Sequence, residues 1–248
     1  MKPLSECRLY TFVDMAYLGR RRPELVAQQL CDGGSDLIQL RAKTLPPEEI
    51  ARLASLLVPI TERAGVGLVV NDYPKIAMLV GAPVCHLGQE DFFNQGYRRV
   101  AQVAGCPPEM KVGLSTHSPE QARRALAAKP DYVAIGPVFA TKTKPAAAPV
   151  TLDYVRWAAE NVKIPWFAIG GINLQNMDDV LVAGARRICV VSAILKAPDL
   201  VKACQQFKQR LLSASLNPAV RLKSDTNSKP GTRTFKKNER PDCRLHRP

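Results

Sequence analysis

Polar and charged residues recur directly after short apolar runs of this chain, and three of them alternate at the end of one run. These are Gln39, Arg41 and Lys43. In an extended strand, residues two apart point to the same side. Arginine offers a planar set of donors and lysine a compact charge, and both suit phosphate. The spacing predicts a phosphate clamp; the alternative is that both cations are solvated or paired with acidic side chains.

Two carboxylates follow the next apolar runs. Asp72 comes directly after GLVVN, and Asp91 follows VCHLG by three residues. A single acid in such a position is more often a helix cap than a metal ligand. Two acids at neighbouring strand ends, facing Arg41 and Lys43, suit Mg2+, which binds a few protein oxygens together with substrate phosphates. We therefore predict a metal and diphosphate site.

Two further segments favour anion binding. The segment 136–149 is long for a loop that follows a strand, and it concentrates the hydroxyl and ammonium groups of Thr141, Lys142, Thr143 and Lys144. The last two apolar runs end in small residues, namely Gly170 and Gly171 in the seventh and Val191, Ser192 and Ala193 in the eighth. Small side chains let backbone NH groups approach a phosphate. The alternatives are a flexible surface loop and close packing, but the agreement of the two placements favours phosphate.

The two histidines near these positions are better explained by structure than by catalysis. His117 follows Ser115 by two residues and precedes a helix that Ser118 caps and Pro119 begins. A base at His117 could also transfer protons. His86 lies within an apolar run and is assigned to the core.

Eight short apolar runs alternate with amphipathic helical segments from residue 8 to about residue 212. The runs are RLYTFVD (8–14), DLIQLR (36–41), GLVVND (67–72), VCHLG (84–88), KVGLS (111–115), DYVAIG (131–136), WFAIGG (166–171) and ICVVSA (188–193). This alternation is typical of repeated βα units with a parallel sheet. Eight units predict an α/β fold, a (β/α)8 TIM barrel, rather than an open doubly wound sheet, because no GxGxxG follows the first strand.

Length and composition fit one barrel domain followed by a tail. The 248 residues are a natural size for such a barrel. We expect the barrel to occupy residues 1–214 and residues 215–248 to form a basic, disordered tail. Within 221–248, nine Lys or Arg minus three acids give +6 of the net charge of +13.

Several classes of protein are disfavoured by the sequence. No apolar run reaches the roughly 20 residues of a membrane span, and the first residues lack the apolar core of a signal peptide, which predicts a cytoplasmic protein without membrane contact. Seven cysteines without a CxxC pair disfavour a zinc site or a disulfide framework. The basic tail raises nucleic-acid binding as a rival, but the aromatic content is only 6% and the basic groups of the body sit at strand ends.

Seven motifs, taken in order, resemble those of thiamine phosphate synthases. They are QLRAK (39–43), ND (71–72), HLGQED (86–91), GLSTHS (113–118), GPVFATKTK (136–144), AIGGI (168–172) and VVSAI (190–194). The match spans roughly residues 8 to 212. Seven motifs in order at strand ends are far more specific than any one of them.

The resemblance implies a transferase of thiamine biosynthesis, which joins hydroxymethylpyrimidine diphosphate to hydroxyethylthiazole phosphate and releases pyrophosphate. The implied ligands of the pyrimidine diphosphate are Gln39, Arg41, Lys43, Asn71, Ser115 and Lys144. Those of the thiazole phosphate are Thr141, Thr143, Gly171, Val191 and Ser192. Asp72 and Asp91 would bind Mg2+. Arg41, Lys43, Ser115 and Lys144 would act on the departing diphosphate, while a carboxylated thiazole substrate remains an open alternative.

The nearest rival is the related group of thiazole tautomerases, which share the barrel and the histidine after strand five but bind no diphosphate. The TKTK segment with Asp72 and Asp91 favours the synthase, while His117 keeps the tautomerase open. The expected partners are the two small-molecule substrates. The sequence leaves the oligomeric state open, a homo-oligomer included.

Overall fold

The eight apolar runs form eight parallel strands in the computed structural model, which describes residues 1–103, 106–141 and 149–216. The strands are β1 (Leu9–Asp14), β2 (Leu37–Arg41), β3 (Gly67–Asn71), β4 (Val84–Gly88), β5 (Lys111–Thr116), β6 (Tyr132–Ile135), β7 (Trp166–Ile169) and β8 (Ile188–Cys189). Each strand pairs with its successor along the chain, and β8 pairs with β1. The predicted closed (β/α)8 barrel is confirmed.

Helices follow every strand and form the outer layer. They are α1 (Met15–Leu18), α2 (Pro23–Asp32), α3 (Pro47–Arg63), α4 (Pro74–Val80), α5 (Gln89–Asn94), α6 (Pro119–Ala127), α7 (Thr151–Asn161), α8 (Met177–Val182), α9 (Ser192–Leu195) and α10 (Leu200–Leu216). A short 3-10 helix spans Val100–Gln102. Four helices begin with proline, whose fixed φ suits the first helical position. As predicted, Ser118 caps α6, with its hydroxyl accepting from the Gln121 N–H.

The lower part of the barrel interior is filled by aromatic side chains. The ring centroids of Tyr10 and Phe167 are 5.4 Å apart, and those of Tyr132 and Phe167 are 5.6 Å apart, both edge to face. Gly113 makes room for Tyr132, because a Cβ at this position would lie only 2.1 Å from the ring. These rings fill the barrel below the pocket, which opens at the carboxyl ends of the strands.

At the opposite end from those carboxyl ends, one buried carboxylate joins three parts of the chain. Asp36, which is 5% exposed, accepts hydrogen bonds from the backbone N–H groups of Arg8 and Leu9. Its oxygens also lie 2.5 Å from the ammonium groups of Lys2 and Lys208. The first residues, β1 and α10 are thereby fastened to the segment that leads into β2.

The last two strands are shorter than the runs that predicted them. In the run 166–171, the strand ends at Ile169 because Gly170 and Gly171 adopt positive φ angles of 104° and 67°. In the run 188–193, the strand ends at Cys189 and α9 already begins at Ser192. Both departures place backbone groups, rather than strand residues, at the end of the barrel.

The boundary of the predicted tail falls within α10, which continues to Leu216. Residues 217–248, which make up nearly all of the predicted basic tail, lie outside the described residues. None of the helices described is long and apolar enough to cross a membrane.

Candidate active site

A pocket opens at the carboxyl ends of the strands, and every strand or the loop after it contributes to its wall. Eleven of the residues predicted to bind substrate or metal line it: Gln39, Arg41, Lys43, Asn71, Asp72, Asp91, Ser115, Thr141, Gly171, Val191 and Ser192. The predicted residues Thr143 and Lys144 lie outside the described residues. The structure thus brings together the three groups of candidates that the sequence separates by up to 153 positions (192 minus 39).

The two cations of the predicted phosphate clamp have different environments. The Arg41 side chain is 15% exposed, and its Nη1 donates to Asp14 Oδ2 at 2.8 Å. The Lys43 side chain is 51% exposed, and its Nζ lies 3.6 Å from Asp72 Oδ2. Both cations therefore pair with an acidic side chain, which was the alternative to the clamp, yet both still line the pocket. Arg41 is held in place, while Lys43 keeps a loose partner in solvent.

Asp14 is a residue that the sequence patterns did not single out. It ends β1 beside Arg41, which ends β2, and the two are register partners. The signal in the sequence was an acid at the end of the first apolar run, the position that Arg41 holds in the second run. It could be interpreted only once the pairing of the two strands was known.

The two predicted metal ligands lie on the same side of the pocket. Asp72 has a positive φ of 65°, and its Oδ2 accepts from Asn71 Nδ2 at 2.6 Å. Asp91 lies in the first turn of α5, and its carboxylate approaches Gly88, where a Cβ would lie 2.8 Å from Oδ2. Among the described residues the Asp91 carboxylate has no hydrogen-bond or ion-pair partner. One carboxylate is oriented by neighbours, and the other is available to a ligand.

These donors fit Mg2+ better than a fully protein-enclosed metal. Within the described ranges no group of three or more His, Cys, Asp or Glu side chains is placed to hold a metal ion. Mg2+ keeps several waters and is commonly held by one or two carboxylates together with substrate phosphates. Two carboxylates beside Arg41 and Lys43 match that pattern.

A chain of four buried side chains forms the floor of the pocket. Gln39 Nε2 donates to the Tyr10 hydroxyl at 2.7 Å, which lies 3.2 Å from the Tyr132 hydroxyl. The Tyr132 hydroxyl in turn lies 3.0 Å from His86 Nδ1. Burial raises the pKa of both Tyr10 and Tyr132 well above the usual range, so each phenol keeps its proton. The chain links two side chains that line the pocket, Gln39 and His86, through two neutral hydroxyls.

His86 is buried, as predicted, but it also belongs to this floor. The sequence placed it in the core because it lies within an apolar run. The side chain of a strand residue can be enclosed by the barrel and still face the pocket, and His86 is both 8% exposed and part of the pocket wall. Apolar context alone could not distinguish these two surroundings.

His117 is fixed at the edge of the pocket by two contacts. Its Nδ1 donates to the carbonyl oxygen of Gly136, and its backbone N–H donates to Gln121 Oε1 at 2.7 Å. Because a carbonyl oxygen can only accept, Nδ1 carries a proton in the first contact, which ties the end of β5 to the loop after β6. These contacts support the predicted structural role, and the ring also lines the pocket.

The opposite wall is built from closely approaching backbone. A Cβ at Gly171 would lie 2.7 Å from Phe139 Cβ and 2.8 Å from the carbonyl oxygen of Ala140. The Phe139 N–H donates to the carbonyl of Gly170 at 3.0 Å, so the segment before Thr141 packs against the end of β7. Val191 precedes α9, whose first N–H groups have no partner within the helix. Among the described residues, this wall therefore offers hydroxyl and backbone N–H donors rather than charged side chains.

Comparison with known proteins agrees with this geometry. A family model described as "Thiamine monophosphate synthase" matches residues 9–194. The thiamine-phosphate synthase of Thermus thermophilus is 48% identical over 180 residues, which cover 72% of this chain and 84% of that protein. The thiamine-phosphate synthase of Acidothermus cellulolyticus is 43% identical over 216 residues, covering 86% and 98%.

One solved structure supports the same assignment. The thiamine phosphate pyrophosphorylase from Pyrococcus furiosus superposes with a TM-score of 0.72 at 27% sequence identity, covering 85% of this chain and 98% of that one. The family model matches about three quarters of the chain, and relatives well above 30% identity cover most of it. The chain belongs to the thiamine monophosphate synthase family.

Proposed function

We propose that this barrel joins a hydroxymethylpyrimidine diphosphate to a hydroxyethylthiazole phosphate in the pocket at the carboxyl ends of its strands, and that the residues predicted from the sequence perform the reaction. The chain belongs to the thiamine-phosphate synthase family, whose members are transferases. The observation that supports our assignment of roles is the meeting of Arg41, Lys43, Asp72 and Asp91 on one side of a pocket whose other side offers neutral donors.

The pyrimidine would lie on the floor and its diphosphate beside the cations. Gln39 and Asn71 present amide groups to the pocket, which suit the donors and acceptors of an aminopyrimidine. Arg41 and Lys43 stand where the diphosphate would follow, and Ser115 adds a hydroxyl. Lys144 keeps its predicted place at the diphosphate as part of this proposal.

Asp72 and Asp91 would hold Mg2+. Bound there, the ion would neutralise part of the diphosphate charge and assist its departure. Asn71 supports this arrangement, because its donor to Asp72 orients the carboxylate. Lys43 contacts the same carboxylate, so it is placed to meet both the ligand of the metal and the phosphate oxygens.

The reaction needs no protein nucleophile. The bond between the pyrimidine methylene carbon and the diphosphate oxygen breaks, and the electron pair leaves with that oxygen. The aminopyrimidine stabilises the resulting cation until the thiazole nitrogen forms the new bond. Arg41 and Lys43 supply charge that is in place before the diphosphate becomes more negative, which is how preorganised groups lower such barriers.

The thiazole phosphate would bind against the opposite wall. Thr141, Gly171, Val191 and Ser192 line it, and Thr143 is retained there from the sequence. Backbone N–H groups and hydroxyls suit a phosphate that does not react and needs only to be held. In this proposal the two phosphate-bearing ends of the substrates would lie on opposite sides of the pocket, with the reacting atoms between them.

The test is pyrophosphate release from the purified protein with both substrates and Mg2+. Release should require the thiazole phosphate, stop on addition of EDTA, and fall about 100-fold or more in Asp91→Ala, because a leaving-group stabiliser of this kind contributes 10²-fold or more. The rate of pyrophosphate release should also fall in Lys144→Ala. Glu90→Gln is the matched control, since this exposed acid is the sequence neighbour of Asp91 but does not line the pocket.

Failure of the folded protein to release pyrophosphate with Mg2+ present would overturn the proposal. The next assay would then be thiazole tautomerisation, with His117→Ala alongside the unaltered protein, because the ring of His117 lines the pocket with its proton fixed on Nδ1. We further infer that the protein acts in the cytoplasm, on small molecules alone.

A further inference from the structure

One buried acid touches the predicted active site without lining it. Asp14 is 1% exposed and ends β1, and it is absent from the wall of the pocket. Its Oδ2 accepts from Arg41 Nη1 at 2.8 Å, and its Oδ1 accepts from the Ala16 N–H at 3.1 Å. The carboxylate is therefore held from two sides, by the first turn of α1 and by the guanidinium.

This contact decides how Arg41 is presented to a ligand. A guanidinium is planar and carries five N–H donors in a fixed fork. With Nη1 engaged by Asp14, the fork is oriented by a buried carboxylate that the Ala16 N–H holds in turn. Lys43, the other cation of the predicted phosphate clamp, has a side chain that is about half exposed, and its Nζ lies 3.6 Å from Asp72 Oδ2. Arg41 is thus the oriented member of the pair.

The charge of Asp14 works against simple anion binding. A buried carboxylate lowers the positive potential of the guanidinium that it contacts, and it would weaken the attraction of Arg41 for any phosphate. An acid retained at this place therefore disfavours ground-state affinity. What it provides is a fixed direction for the remaining donors, which matters most when charge develops on one particular oxygen.

We propose that Asp14 is a positioning residue for the transfer reaction: it aligns the Arg41 guanidinium with the departing diphosphate and acts on kcat rather than on substrate affinity. The inference rests on the proposed placement of the diphosphate beside Arg41. The sequence motifs named site residues at the ends of β2 to β8 but none at the end of β1. This proposal adds one there.

The first test is Asp14→Asn, which keeps an oxygen for the Ala16 N–H and removes the charge. We expect kcat to fall about tenfold, less than the 10²-fold or more that follows complete removal of a stabilising donor. The KM for the pyrimidine diphosphate should stay the same or decrease, because the pocket becomes more positive. A general structural defect would not separate kcat from KM in this direction.

The second test repeats Asp14→Asn in an Arg41→Ala background. If Asp14 acts through Arg41, the second substitution should change kcat by less than about twofold, since the two effects are then not additive. Removal of both charges also avoids leaving a buried guanidinium without its partner, so the double variant reports even if the single variant folds poorly.

Asp131→Asn is the matched control, because it too removes a carboxylate that pairs with a cation and accepts a backbone N–H. Asp131 contacts Lys111 at 3.2 Å and the Val112 N–H at 2.8 Å, at the amino ends of β5 and β6. Its kcat and KM should match those of the unaltered protein.

Three results would overturn the proposal: a kcat for Asp14→Asn within twofold of the unaltered protein, a rise in KM alone, or an equal loss of kcat with and without Arg41. If the unaltered protein releases no pyrophosphate, the proposed function fails and this inference fails with it. Release that is independent of Asp14 removes the positioning role and leaves the proposed function intact.

Discussion

Replacing Tyr132 with Phe removes one hydroxyl from the floor of the pocket and interrupts the chain from Gln39 to His86. The Tyr132 ring is fully buried and Tyr10 is 1% exposed, so water cannot replace the missing group. The lost contacts are those of 3.2 Å to the Tyr10 hydroxyl and 3.0 Å to His86 Nδ1. The aromatic packing stays, because Phe keeps the ring.

The loss in the free energy of unfolding can be worked out from the hydrogen bonds that the variant loses. Leaving a buried polar group unsatisfied costs about 1–3 kcal/mol, and Tyr10 still accepts from Gln39 at 2.7 Å. We therefore expect about 2–3 kcal/mol in total from the two lost contacts of the Tyr132 hydroxyl, each worth about 1–1.5 kcal/mol. For a barrel of this size 1 kcal/mol shifts Tm by about 2–4 °C, so Tm should fall by about 5–10 °C.

Thermal unfolding and steady-state kinetics together form the assay. Because Gln39 and His86 both line the pocket, the KM for the pyrimidine diphosphate should rise about fivefold, which corresponds to the roughly 1 kcal/mol of one hydrogen bond. Thr11→Val is the control: the Thr11 hydroxyl is fully buried and lies 2.9 Å from the Ser35 hydroxyl, but Thr11 does not line the pocket. It should lower Tm without raising KM.

The reasoning would be refuted by a Tyr132→Phe protein whose Tm lies within about 2 °C of the unaltered one, since a buried pair of contacts would then have no measurable worth. Equal increases of KM in Tyr132→Phe and Thr11→Val would show that the kinetic effect comes from loosened packing rather than from the hydrogen-bonded floor.

Three other predictions test the barrel itself. Burial alone would raise the pKa of Asp36, but hydrogen bonds from two lysines and two backbone N–H groups lower it, so its stabilising effect is complete above the ordinary value near about pH 4 and is lost as pH falls further. Denaturant titrations between about pH 5 and 2 should give a shallower acid slope for Asp36→Asn; an identical slope would contradict this. Gly113→Ala should lower the free energy of unfolding by about 3 kcal/mol or more, because the new Cβ would overlap the Tyr132 ring, and an unchanged Tm would contradict that overlap. A chain ending at Leu216 should keep the full rate of pyrophosphate release, whereas a large loss would show that residues 217–248 belong to the enzyme.

The fold could be predicted from the sequence because it depends on a repeated local pattern. A buried parallel strand is a continuous apolar run, and a helix that covers it has a periodic apolar face, so eight repetitions leave little choice of architecture. The polar residues that interrupt the runs, such as Arg41 and Asp72, lie at their ends, and the barrel topology alone gathers those ends. Most residues that line the pocket could therefore be predicted from the sequence.

Contacts between distant residues could not be predicted in the same way. The hydroxyls of Tyr10 and Tyr132 belong to residues 122 positions apart, and each residue looks like an ordinary aromatic of an apolar strand. The pairing of Asp14 with Arg41 depends on the register of β1 and β2, which the turn lengths and packing determine. Strand β7 ends at Ile169 because Gly170 and Gly171 adopt positive φ angles. The sequence Gly-Gly is compatible both with a continued strand and with such a turn, so the end of the strand could not be predicted.

The Asp36 cluster has a consequence for the order in which the barrel can mature during synthesis. Its carboxylate is present once β2 has been made, but one of its two lysine partners, Lys208, lies 172 residues later. The edge of β1 likewise waits for β8, its partner across the closure. Until both have left the ribosome, the nascent chain carries a strand edge without its partner and an acid with only part of its counter-charge. Acquisition of protease resistance should therefore be a late, single event that coincides with the emergence of α10.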